Sequence, residues 1–118
     1  MFSELLDRLL REVPGARVVT VMGFDGIAIE TRDKDGSVSE TPAAVELAAV
    51  TSQLRRAAEG LNEGDVHEVS LETGGSVTLL RPLTSEYCLA MTLGADGLVG
   101  KGRYLMRVLA PTIAAELG

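Results

Sequence analysis

Two segments of this chain carry apolar or β-branched residues on both faces of an extended backbone, and that feature limits the fold more than any other. One is Arg17-Val18-Val19-Thr20-Val21-Met22, where odd and even positions are equally apolar; the other is Tyr87-Cys88-Leu89-Ala90-Met91-Thr92-Leu93. Successive side chains of a strand point to opposite faces, so strands of this kind need cover above and below. They belong next to each other at the centre of a sheet that lies between layers of helix. The small side chains of Cys88 and Ala90 leave room for a helix to come close on one face.

The remaining segments supply those layers. Phe2, Leu5, Leu6, Leu9 and Leu10 recur at helical spacing, with Ser3 expected as N-cap and Pro14-Gly15 as the stop. The first central strand is followed by Gly23-Phe24-Asp25-Gly26, whose Asp-Gly pair favours a tight turn into Ile27-Ala28-Ile29-Glu30-Thr31. Glu30 and Arg32 mark that second strand as the more exposed partner of a hairpin. A loop over 33–40 leads to Thr41-Pro42, an N-cap and first-turn proline for a long helix reaching about Leu61.

Three strands follow: 66–72, 76–81 and the central 87–93, joined by Thr73-Gly74-Gly75 and Pro82-Leu83-Thr84-Ser85 as an antiparallel meander. In the first of them only His67, Val69 and Leu71 form an apolar face, which suits a sheet margin, and an exposed margin can pair with another chain. A helix over 98–117 closes the sequence, with Leu98, Leu105, Val108, Leu109, Ile113 and Leu117 as its apolar contacts. Pro111 inside it removes a backbone hydrogen bond and is expected to kink or divide it, with a bend between Arg107 and Pro111. The order is helix, two strands, helix, three strands, helix, an α+β sandwich within the broad α/β class. At 118 residues, with neither a repeat nor a long linker, 1–118 is expected to be a single domain.

Composition excludes several functions. Apolar residues make up 46% of the chain and charged residues 24%, as in ordinary globular proteins. With a net charge of −6, two Tyr, two Phe and no Trp, the chain lacks both the cationic footprint and the stacking platforms of nucleic-acid binders. No apolar run approaches the ~20 residues that span a bilayer, so membrane insertion is not expected. The lone Cys88 forms no internal disulfide and no signal-peptide pattern opens the chain, which points to the cytoplasm.

Each candidate reactive centre fails on detail. The stretch 94–102 is glycine-rich and contains Gly100-Lys101, but its spacing is one residue too long for a P-loop, Gly102 stands where the magnesium-binding hydroxyl belongs, and Asp96 would repel phosphate. Close packing at a helix start is the plainer use of those glycines. Asp33, Asp35 and Gly36 lack the spacing of a calcium loop. His67 and Cys88 are each the only residue of their type, too few for an ordinary zinc site, and read as strand and core residues. Gly74-Gly75-Ser76-Val77-Thr78 lacks the second glycine of a nucleophile elbow, and Glu63/Asp65 and Glu68/Glu72 read as solvated surface. No catalytic residue, metal or cofactor is expected, and the chain reads as a binding module.

The middle helix is where binding is expected. Leu47, Val50, Leu54, Ala58 and Leu61 share one narrow face and form the expected core stripe. Val45, Ala49, Ser52 and Arg56 lie opposite, low in charge at their start and small enough for another backbone to approach.

Three stretches together resemble the Roadblock/dynein light chain domain family, a profilin-like architecture, over nearly the whole chain. They are the hairpin from Val18 through Asp25-Gly26 to Ile29, the segment from Val69 to Val77 around Gly74-Gly75, and Gly100-Lys101-Gly102-Arg103-Tyr104-Leu105-Met106-Arg107. The resemblance implies a five-stranded antiparallel sheet with the middle helix on one face and the terminal helices on the other. It also implies dimers, in which middle helices pack together and third strands pair, with a second copy or another Roadblock-like domain. Carried over to this chain, the interface draws on Val45, Ala49, Ser52 and Arg56 of the helix and Val66, Glu68 and Ser70 of the strand. Members of the family act as platforms for small Ras-like GTPases, stimulating hydrolysis or nucleotide exchange without holding nucleotide, while relatives in dynein complexes are structural subunits. The shortness of the chain favours the bacterial GTPase-regulator type, with a structural adaptor as the alternative.

Overall fold

The structure, a computed structural model, describes residues 2–36 and 41–118. Along the chain it runs α1 (Ser3–Glu12), β1 (Ala16–Gly23), β2 (Ala28–Asp33), α2 (Pro42–Glu59), β3 (Val69–Glu72), β4 (Ser76–Pro82), β5 (Tyr87–Gly94) and α3 (Val99–Leu117). This is the expected order of elements. The strands form one sheet in the order β2-β1-β5-β4-β3, with every neighbouring pair antiparallel. The two strands with two apolar faces, β1 and β5, are neighbours: Val19 lies opposite Met91 and Val21 opposite Leu89.

Their alternation divides the interior into two cores. Val19, Val21, Leu89, Met91 and Leu93 point to one face, where Phe2, Leu6 and Leu9 of the N-terminal segment and Leu105, Leu109 and Ile113 of α3 cover them. Met22, Leu80, Cys88 and Ala90 point to the other, beneath Ala44, Leu47 and Ala48 of α2. Each fully buried Leu, Met or Phe stabilises the fold by roughly 1.5–3 kcal/mol, so the α1/α3 side is the stronger of the two.

Loops at opposite ends of the sheet pin these layers. Between β1 and β2, Gly26 takes φ +87 and the Ile27 N–H donates to Asp25 Oδ1 at 3.0 Å, the reason for the Asp-Gly pair. At the other end Gly15, with φ +86, lies so close to Gly97 that an added Cβ would sit 2.4 Å from its Cα. The Gly94 N–H donates to Gly15 O at 2.9 Å and the Leu98 N–H to Pro14 O at 3.0 Å. Gly102 is buried where a Cβ would press on Leu79 and Met91. Gly97 and Gly102 thus serve close packing against the sheet, whereas a Cβ at exposed Gly100 would meet open space.

Several local expectations are corrected. Ser3 is the first residue of α1, not its cap; its hydroxyl donates to Glu30 Oε1 at 2.5 Å, an oxygen that also accepts from Arg32 Nη2. The first strand of the meander begins at Val69, so Val66, His67 and Glu68 precede it, and only four residues pair with β4. α3 runs undivided through Pro111. Pro111 and Arg107 are both exposed, so the Arg107 carbonyl that Pro111 cannot serve lies on the solvent side of the helix. Leu98 and Val108, expected as packed apolar contacts, are also exposed. Part of the loop over 33–40 lies outside the described residues.

Candidate protein interface

The largest departure from expectation is the rotation of α2. Its buried residues are Ala44, Leu47, Ala48 and Thr51, at i, i+3, i+4 and i+7. Of the expected core stripe only Leu47 is buried; Ala58 is half-buried, while Val50, Leu54 and Leu61 are 46%, 42% and 67% exposed. The cause lies in the floor beneath the helix, where the small Cys88 and Ala90 of β5 are flanked by the larger Met22 of β1 and Leu80 of β4. A helix docking closely on that surface presents alanines, and its larger side chains turn outward. Thr51 completes the inward stripe, its hydroxyl donating to Leu47 O at 2.7 Å so that no polar group is buried unpaired.

At 100° per residue Val50 and Leu54 of α2 lie about 40° apart, and exposed Leu61 follows just past the end of the helix. They make an uncovered apolar stripe along α2 and just past its end. On the same face of the sheet, Leu71 of β3 is 42% exposed and Val69 packs against the α2 core. β3 is an edge strand, and among the described residues no strand pairs with its outer side. An apolar helix stripe beside an unpaired strand edge is a surface that asks for a protein partner.

The seven residues expected at an interface are placed around this surface but are not all together. Ala49 and Arg56 are exposed on the outer flank of α2, and Val45 stands over the β1–β2 turn against Gly26. Ser52 and Val66 are half-buried and line a shallow cavity with Arg55, Ala58, Glu59, Gly64, Asp65 and Ser85. Glu68 and Ser70 face the opposite side of the sheet, where Arg103 of α3 holds them: its Nε lies 2.8 Å from Glu68 Oε2, and its Nη2 donates to Ser70 Oγ at 3.5 Å. β3 therefore carries apolar residues toward α2 and polar ones toward α3.

Arg55 was not singled out by sequence reading, and it straps this region together. Its guanidinium donates to the carbonyls of Ser85 and Thr84 at 3.3 Å each and lies 4.4 Å from the centre of the Phe24 ring. Beneath it, burial pushes the Cys88 thiol up to about 12, with the Arg55 charge opposing. That thiol is an inert part of the core at neutral pH. His67 is exposed ahead of β3. Among the described residues no group of three or more His, Cys, Asp or Glu could hold a metal ion, and no helix is long and apolar enough to cross a membrane.

The family model for the Roadblock/LC7 domain matches residues 2–93. Among solved structures, MglC from Myxococcus xanthus is 44% identical, with 98% of each chain covered and a TM-score of 0.71. A Roadblock/LC7 domain from Streptomyces avermitilis is 23% identical over 97% of this chain and 95% of its own, with a TM-score of 0.81. The gliding protein MglB from Thermus thermophilus is 17% identical over 95% and 84%, with a TM-score of 0.80. At those lower identities the last two speak for the fold. No curated protein matches the chain.

Proposed function

Because the chain belongs to the Roadblock/LC7 domain family, we propose that it is a non-enzymatic binding module, a dimer that docks a small Ras-like GTPase and modulates its nucleotide cycle. The observation that carries this reading is the uncovered stripe of Val50, Leu54 and Leu61 beside the unpaired edge of β3. A two-fold axis through that region sets α2 against α2 and β3 against β3, each surface meeting its own copy. Such an arrangement covers the apolar stripe and extends the sheet across the dimer. Val45, Ala49, Ser52 and Arg56 then belong to the outer flank of the paired helices, and Val66 lies where the chain enters the paired strand. Glu68 and Ser70 contribute by fixing β3 through Arg103. Another domain of the same fold can take the place of the second copy. The paired helices form the docking platform, and the platform acts by positioning the GTPase's own catalytic groups.

Two measurements test this. Light scattering of the purified protein is expected to give twice the chain mass, and a monomer at micromolar concentration overturns the homodimer. Mixing the protein with candidate Ras-like GTPases and following hydrolysis and nucleotide release tests the rest. A change in either rate supports a regulator. Binding with both rates unchanged makes the protein a structural adaptor, and no binding to any candidate removes the GTPase from the reading.

A further inference from the structure

We propose that the groove between α3 and the end of β4 is a docking site for an acidic segment of a partner protein that carries an apolar anchor residue. Arg81, Pro82 and Leu83 form one wall, and Arg107, Ala110, Pro111 and Ala114 the other. On α3 the residues Arg103, Arg107, Ala110 and Ala114 follow one another at i, i+4, i+7 and i+11, a straight line along the helix. This line faces β3 and β4, on the side of the sheet away from α2, so the groove is separate from the surface assigned to the dimer.

Charge selects the occupant. The chain as a whole is at −6, yet between Asp96 and Glu116 its only charged residues are Lys101, Arg103 and Arg107. Arg103 is taken up by Glu68. Among the described residues Arg81, Lys101 and Arg107 make no ion pair, and no Asp or Glu lines the groove. Arg107 instead lies 5.6 Å from the Tyr104 ring, a side chain itself 55% exposed. Each wall thus carries one arginine, and the rest of the lining is proline, leucine and alanine. Planar guanidinium forks pair well with carboxylates, and the small alanines allow a backbone to lie close against an apolar anchor. A basic groove on an acidic protein also steers an acidic partner to this face and away from the rest of the surface.

A fluorescein-labelled peptide of alternating glutamate and leucine is the probe. Fluorescence anisotropy is expected to show binding that weakens as salt rises, and amide resonances are expected to shift at Leu83, Ala110 and Ala114 in the ¹⁵N spectrum. Arg107→Glu and, separately, Arg81→Glu are each expected to weaken binding about tenfold. Arg11→Glu, on the exposed surface of α1, is expected to leave it unchanged, as is a variant that breaks the α2 contact. Circular dichroism and the urea midpoint check that the variants fold. The proposal is overturned if the peptide fails to bind at low salt, if the shifts fall elsewhere, or if Arg107→Glu binds as well as the parent. It is equally overturned if a lysine-leucine peptide or a single-stranded oligonucleotide binds as tightly.

Discussion

Replacing Leu54 by glutamate places a charge in the middle of the stripe that the dimer is proposed to cover. Leu54 is 42% exposed in the single chain, so somewhat less than half of its surface remains to be covered by a partner. Full burial of a leucine is worth roughly 1.5–3 kcal/mol, which leaves about 1 kcal/mol for the interface in each copy. A carboxylate in its place must lose water without a partner, at about 2 kcal/mol or more. The sum is about 3 kcal/mol per copy and about 6 kcal/mol for a two-fold dimer, a weakening of roughly ten-thousandfold. Sedimentation velocity over a range of concentrations measures it directly. The Leu54→Glu monomer is expected to keep its fold, since Leu54 lies outside both cores. A dimer of unchanged affinity refutes the reasoning. Ala49→Glu separates the flanks of α2: if it dissociates the dimer while Leu54→Glu does not, the contact lies on the side of Val45, Ser52 and Arg56.

Three further outcomes follow from the packing. Gly15→Ala forces a Cβ to 2.4 Å from the Gly97 backbone at φ +86 and strains the hydrogen bonds of Pro14 and Gly15 to Leu98 and Gly94, so a loss of about 3 kcal/mol is expected in urea unfolding. A loss under about 1 kcal/mol would show that the two loops part easily. The Cys88 thiol, raised from its ordinary 9.0 to about 12, stays protonated in the folded chain while the unfolded chain ionises first. Its contribution to stability is therefore complete below pH 9 and falls as the pH rises from 9 toward 12, a decline that Cys88→Ala is expected to remove from the pH dependence of unfolding. Arg55→Ala gives up two carbonyl bonds and the contact with Phe24, with an expected cost of about 1–2 kcal/mol in urea unfolding. Its dimer mass is expected to be unchanged, because Arg55 is engaged within its own chain.

The order of the elements, the antiparallel meander and the central placement of β1 and β5 were legible in the sequence, because they depend on local signals. Strands with two apolar faces must be covered twice, Asp25-Gly26 encodes its turn through a side-chain oxygen and a positive φ, and Pro42 suits only a first turn. What periodicity could not supply was the rotation of α2. Leu47, Val50, Leu54 and Leu61 make the more hydrophobic stripe, and hydrophobicity alone turns them inward. The surface that receives the helix is made by β1, β4 and β5, residues distant in sequence, and its fit around Cys88 and Ala90 admits Ala44 and Ala48 instead. Likewise the start of β3 was decided by its register with β4, and the facing of Glu68 and Ser70 by Arg103, 35 and 33 residues further along. Composition and pattern determined which layers the chain builds and in what order they follow one another. Which face of α2 turns inward was decided by packing, since shape between non-local neighbours outweighs the apolar count of a single helix.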